Sequence, residues 1–211
     1  MIFGRRNHSQ DEADQAEDSF EEPDALEDEF FDKDSDPREY GPFDFDEVEL
    51  GGDNVERVSY GSLIITPLQG LTIEPLLDPA TNSISSLAVL WENSAMELAL
   101  FAAPTTLGLA EELSEDIEEE AEQAGGSCQE RNGPFGPELR RVLPLEGPEG
   151  EQLFHVSRIW LVDGPRWLLR ATLMGAAAMV EDGDPVVEVF VEFFRNVVVR
   201  RDETPRVPGQ I

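Results

Sequence analysis

The chain has 211 residues, 46 of them Asp or Glu against 15 Lys or Arg, for a formal net charge of −31. Phosphate backbones and anionic lipid surfaces repel such a chain, which argues against direct nucleic-acid or membrane binding. A single cysteine rules out an intrachain disulfide, and the length suits one ordinary domain with a tail.

The charge is uneven, with 19 acids and 4 bases in residues 1–50 alone. Residues 11–39 have few apolar side chains and no sustained period, so burial cannot offset an ordering cost of about 1–2 kcal/mol per residue. Residues 1–40 are therefore expected to be a disordered acidic arm, 41–199 a single α+β domain and 200–211 a disordered C-terminal tail. Phe20, Leu26, Phe30 and Phe31 lie among carboxylates in the arm. That pattern fits either a solvated tail or a short helix that folds in a partner's groove. Arg5 and Arg6 precede no apolar stretch, so no export signal is expected. No run of about 20 apolar residues occurs, and the expected location is the cytoplasm.

Strands are expected at residues 62–66 and 71–77, the second an edge strand because Pro75 lies within it. Two more follow at 84–91 and 96–102, joined by residues 92–95. After Pro104 a helix is predicted, with Thr105 or Thr106 as N-cap and Glu111 and Glu112 in its first turn. Its apolar stripe is Ala110, Leu113, Ile117, Ala121 and Ala124, and Gly125 and Gly126 end it. Strands at 127–131, 138–145, 152–162 and 166–174 come next. Asp184 and Pro185 open a second helix whose apolar face is Val186, Val189, Phe190, Phe193, Phe194 and Val197. Residues 197–199 leave it as a short extended segment.

The least scaffold-like stretch is RIWLVDGPRWLLRATL, residues 158–173. Asp163, Gly164 and Pro165 form a turn, so two antiparallel segments are predicted, with Val162 opposite Trp167 and Trp160 opposite Leu169. Alternation then puts Arg158 on an apolar face with Trp160 and Trp167. A desolvated guanidinium needs a carboxylate, carbonyl or stacking partner. Two readings follow: a binding site built from Arg158, Arg166 and Arg170, or an arginine that reaches the sheet edge and pairs with a structural acid. In GPFGP, residues 133–137, Gly and Pro fix a turn and Phe135 plugs it onto the core.

Catalytic signatures are absent from the pattern. His155 and Ser157 share a strand face without a nucleophile-elbow motif, and Cys128 has no second ligand at zinc spacing. Asp182-Gly183-Asp184 lacks the rest of a calcium loop and leads into the second helix. No catalytic residue, metal or cofactor is predicted. The binding residues singled out are Phe135, Arg158, Arg166, Trp167 and Arg170.

GPFD at Gly41, ELALFAAP ending at Pro104, GPFG at Gly133 and VDGPRWLLR around Gly164 occur in the order seen in a known family. Together they resemble the actinobacterial domain-of-unknown-function family numbered 3710, over about residues 41–199. This chain departs from the pattern at Leu109, where an aromatic is usual, and in a shorter C-terminal proline segment. The element order is similar to the Mog1/PsbP-like α/β/α sandwich, a mainly antiparallel sheet flanked by helices. That resemblance implies an accessory or partner-binding module and no catalytic residue. The expected function is thus a non-enzymatic cytosolic interaction or accessory protein whose unknown protein partner is, on charge, basic. The alternative is a binding protein or enzyme for an anionic small molecule, using the arginines of the 158–170 hairpin.

Overall fold

The computed structural model describes residues 38–52, 54–103 and 108–201. Residues 1–37 of the expected arm, with Phe20, Leu26, Phe30 and Phe31, and residues 202–211 of the expected tail lie outside these. In chain order the strands before the first helix are β1 (Phe43–Asp44), β2 (Val58–Tyr60), β3 (Leu63–Ile65), β4 (Thr72–Leu77), β5 (Ile84–Trp91) and β6 (Ser94–Ala102). Helix α1 (Leu109–Gln123) leads to β7 (Ser127–Gly133), β8 (Gly136–Glu146), β9 (Gln152–Gly164) and β10 (Trp167–Gly175), and α2 (Pro185–Arg195) to β11 (Val198–Val199). Among the described residues no helix is long and apolar enough to cross a membrane.

Strands β4 to β10 form a seven-stranded sheet in the order β4-β5-β6-β10-β9-β8-β7, antiparallel throughout. Side-chain alternation sets its two faces. Leu87, Val89, Met96, Leu98, Trp160, Val162, Leu169, Ala171 and Leu173 form one apolar face, which buries α2 through Val187, Phe190, Val191, Phe193 and Phe194. The opposite face carries α1, whose Ile117 packs on Leu139 and Ile159. Helices on both faces of a mainly antiparallel sheet are the α+β arrangement expected. Pro75 sits in β4, an edge of the sheet, where its missing N–H leaves no ladder bond unmade.

Several elements differ from the sequence reading. A second sheet, ordered β1-β11-β3-β2, joins the same core as α2 through Leu63, Ile65 and Val199. Only the segment at β3 and the extension at β11 were expected. Thr105 and Thr106 lie outside the described residues, and α1 takes Gly108 as its N-cap. The cap acceptor is remote: Asp163 Oδ2 receives the N–H groups of Gly108 at 3.2 Å and Ala110 at 3.3 Å. Ala124 is the exposed C-cap of α1 rather than part of its buried stripe. In α2, Asp184 caps Val186 N–H at 2.9 Å with Pro185 behind it, as expected. Val187 and Val191 are its buried valines, while Val186 and Val189 are half-buried. Arg200, assigned to the tail, continues the small sheet by donating its N–H to Ser62 O at 2.8 Å.

The N-terminal GPFD motif is packed into this framework. Phe43 N–H donates to Val197 O at 3.0 Å, and Asp44 caps the 3-10 turn Phe45–Glu47 with a capping box. Gly41 has φ +91, and a Cβ there would overlap the Arg195 carbonyl oxygen. We expect Gly41→Ala to lose about 2 kcal/mol or more in urea unfolding, since overlap adds to the strain of a left-handed residue. Gly61→Ala, at φ +64 with open space around it, should lose only about 1 kcal/mol.

A buried arginine and a helix-side cleft as candidate sites

The β9–β10 register is Trp160↔Ala171 and Leu173↔Arg158, two residues from the predicted pairing. The turn closes on Gly164↔Trp167, with Arg166 at φ 67. A slip of two preserves faces, so Arg158 does lie on the apolar side. It does not reach the sheet edge. Its side chain is 0% exposed and pairs in place with Glu138, which is also 0% exposed. Arg158 Nε and Nη2 donate to the two Glu138 oxygens at 3.0 and 2.8 Å, and Nη2 also pairs with Asp182. Glu138 further accepts from Arg140 Nε and Trp160 Nε1. Burial alone would lower the Arg158 pKa; hydrogen bonds and charge from Glu138 and Asp182 outweigh it and hold the guanidinium above its ordinary value.

Phe135 and Trp167 are equally internal. The Phe135 ring lies 5.0 Å from Trp160 and 4.7 Å from Phe194, centroid to centroid. Trp167 Nε1 donates to the buried Asp44 Oδ2 at 2.8 Å, and Arg201 pairs with the same oxygen at 3.3 Å. Gly164 is required by this packing, because a Cβ there would collide with the Trp167 indole. Arg166 is exposed at the hairpin tip, where its carbonyl accepts Ala103 N–H at 3.1 Å. The five expected binding residues therefore do not share a surface: Phe135, Arg158 and Trp167 are core, Arg166 is the tip, and Arg170 faces the other way. Three of the short motifs touch one another through these contacts, Asp44 on Trp167 and Ala103 on Arg166, while Phe135 of the fourth packs on Trp160 and Phe194.

Arg170 is different. It pairs in register with Ala99 and Leu161 on the α1 face, half-buried, with its guanidinium 5.2 Å above the Phe101 ring. Its buried Nε has no hydrogen-bond partner among the described residues. It lines a cleft of about 340 Å³ between α1 and the sheet, together with Arg141, His155, Thr172, Glu97 and Glu120. Burial lowers the Arg170 pKa, and nearby Arg141 lowers it further, against the opposing pull of Glu97 and Glu120. A cleft of about 390 Å³ outside Arg140 is a lesser candidate, because Glu138 and Asp182 already hold that arginine.

A second feature missed by the sequence reading is the end of the β8–β9 hairpin. The β9–β10 pairing stops at Met174↔Ser157 and β7–β8 starts at Ser127↔Val142. Beyond these, β8 and β9 continue alone for four pairs, Leu143↔His155 to Glu146↔Gln152, which is about 13 Å of free hairpin. Phe154 is 60% exposed there, Leu145 50% and Leu153 46%. A count of apolar residues in 152–156 would have marked the segment; its exposure depends on where the neighbouring strands end.

Cys128, the single cysteine, packs against the α1 cluster. Burial pushes its thiol pKa up, Glu118 adds to this, and Arg141 opposes it. Iodoacetamide at pH 8 should modify the folded chain at least about fivefold more slowly than the urea-unfolded chain. Removing one partner of the internal ion pair should be far more severe. Arg158→Met is expected to lose about 3–5 kcal/mol in urea unfolding, because Glu138 stays buried without its main counter-charge. Arg166→Met should change stability by less than about 0.5 kcal/mol.

No curated protein matches the chain. Among solved structures it is similar to the solution structure of cyanobacterial PsbP (CyanoP) from Synechocystis sp. PCC 6803, at 13% identity and a TM-score of 0.39. The match covers 72% of this chain and 98% of that one. The family model described as protein of unknown function (DUF3710) matches residues 41–211. That span includes all four short motifs, and the chain belongs to this family of unknown function.

Proposed function

We propose that the protein is a non-enzymatic interaction or accessory module of the cytoplasm, and that its partner docks on the free end of the β8–β9 hairpin. The observation that carries this reading is a ribbon that neither neighbouring strand covers and that exposes apolar side chains on both faces, Leu145 paired with Leu153 on one and Phe154 on the other, as a segment inserted in a groove would. Solvent-facing apolar side chains grouped in this way mark interaction surfaces. The connection between the strands carries Glu149 and Glu151, next to Glu146 at the end of β8. The complementary partner is a protein with an apolar groove rimmed by Lys or Arg. The partner surface is placed on this ribbon rather than on the binding residues expected from the sequence, since Phe135, Arg158 and Trp167 among them lie in the core. In this reading the acidic arm expected over residues 1–40 steers basic partners toward the folded body expected over 41–199, to which Arg38, paired with Glu47, and Arg200 and Arg201, bonded to Ser62 and Asp44, also belong.

The test places a photo-crosslinking amino acid at Phe154 in the full chain, with a second probe at Leu77, an exposed residue on the opposite sheet edge. Phe154 should give one dominant adduct with a protein bearing a basic surface, and Leu153→Glu should abolish it while the urea midpoint stays unchanged. No adduct, or the same adduct from Leu77, would overturn the assignment.

A further inference from the structure

Two arginines of one hairpin meet opposite fates. Arg158, on the apolar face, finds carboxylates inside the fold, whereas Arg170, on the α1 face, keeps a buried Nε with no acceptor among the described residues. Phe101 stacks under the guanidinium but cannot accept the Nε–H in a conventional hydrogen bond, and a buried donor without an acceptor is costly unless something else supplies one. The cleft beside it provides the room, and Arg141 provides a second cation close enough to disfavour the charge on Arg170. Glu97 and Glu120 offset that repulsion through space, but neither hydrogen-bonds the Arg170 Nε, which leaves that buried donor for an anionic group entering the cleft.

The rest of the lining restricts that anion. Glu97 is half-buried on the floor, diagonal to Arg170 across the β6–β10 pairing, and Asp116 and Glu120 stand on the wall formed by α1. Three carboxylates against two guanidiniums repel a multiply charged anion, and a chain of net charge −31 adds to the repulsion. A molecule with one negative and one positive group meets neither obstacle. Leu113, Ile117 and Ile159 supply the apolar part of the lining. The volume is at the small end of the range for ligand pockets. We propose that this cleft binds a small zwitterion of amino-acid or dipeptide size, its carboxylate on Arg170 and Arg141 and its ammonium group on Glu97 and Glu120. The site meets the β8–β9 ribbon only at His155, at the base of the ribbon and away from Leu145, Leu153 and Phe154, so its success or failure leaves the docking assignment untouched.

Calorimetric titration of the full chain at pH 7.5 tests this with L-leucine and glycyl-L-leucine as zwitterions. N-acetyl-L-leucine, L-leucinamide and inorganic phosphate serve as anion-only or cation-only controls. At least one zwitterion should bind, with each control at least tenfold weaker. Arg170→Gln and Glu97→Gln should each weaken binding at least tenfold, and Arg166→Gln should not change it. The NMR signal of Arg170 Nε–H in the unmutated chain should shift on adding the bound zwitterion while that of Arg158 stays fixed, a readout independent of how the variants fold. Phosphate or N-acetyl-L-leucine binding as tightly as the zwitterions would overturn the proposal. So would absence of binding by both zwitterions, or an unmoved Arg170 signal.

Discussion

The structure depends on one constraint: a full positive charge, Arg158, sits at the interface between the central sheet and α2 with no access to water. Desolvating a guanidinium is tolerable only with close counter-charges and well-aligned acceptors. Glu138, opposite Trp160 on β8, supplies the counter-charge and is itself held by Arg140 and the Trp160 indole. Asp182 and the Val180 carbonyl, which accepts from Arg158 Nη1 at 3.4 Å, bring in the segment that leads to α2. Such a pair contributes little net stability over an apolar core of equal volume. What it contributes is specificity: with any other β8–β9 register, or another path into α2, the charge would be stranded.

Hydrophobic burial supplies the bulk of the driving force around this point. Phe190, Phe193 and Phe194 are almost wholly buried, at roughly 1.5–3 kcal/mol each. That burial alone would let α2 settle in several rotations, because its apolar residues cover most of its circumference. The ionic network and the Asp184 cap fix where the helix begins, and the Phe135, Trp160 and Phe194 rings then interlock in one arrangement. Asp163 and Asp44 do comparable work elsewhere. One caps α1 from the sheet, and the other anchors the Trp167 indole to the first strand of the small sheet.

The large sheet was legible because its strands are long, alternate cleanly and are separated by turn residues. Residues 84–91 were placed without error, and Pro75 identified an edge. The small sheet was only partly legible: β3 and the extension at β11 were expected, but β1 has two residues and β2 three, too few for any period to register. They exist because tertiary contacts align them. The cap of α1 was missed for a related reason, its acceptor being more than fifty positions away. The valine assignment in α2 was right for Val197 and for Val186, which packs on the core while half-buried, and missed Val187 and Val191, because a helix in contact with a core shared by two sheets buries more than one narrow stripe.

For the candidate sites the limits of the sequence were of another kind. Parity along β9 and β10 already separates Arg158 from Arg170, so treating them as one cluster overlooked information in the sequence. Uniting Arg170 with Arg141 and Glu97 needs the strand order β6-β10-β9-β8, which no local pattern encodes. Their different environments follow from that order. The α2 face is closed by an apolar helix and a second sheet, so a cation there must be neutralised from within. The α1 face is only partly roofed, by a helix resting on β7, β8 and β9, so a cation on β10 can remain half-open to solvent. The distinction between an arginine neutralised inside the fold and one that keeps an unpartnered Nε beside a cleft thus lies in how far the roof of each face extends.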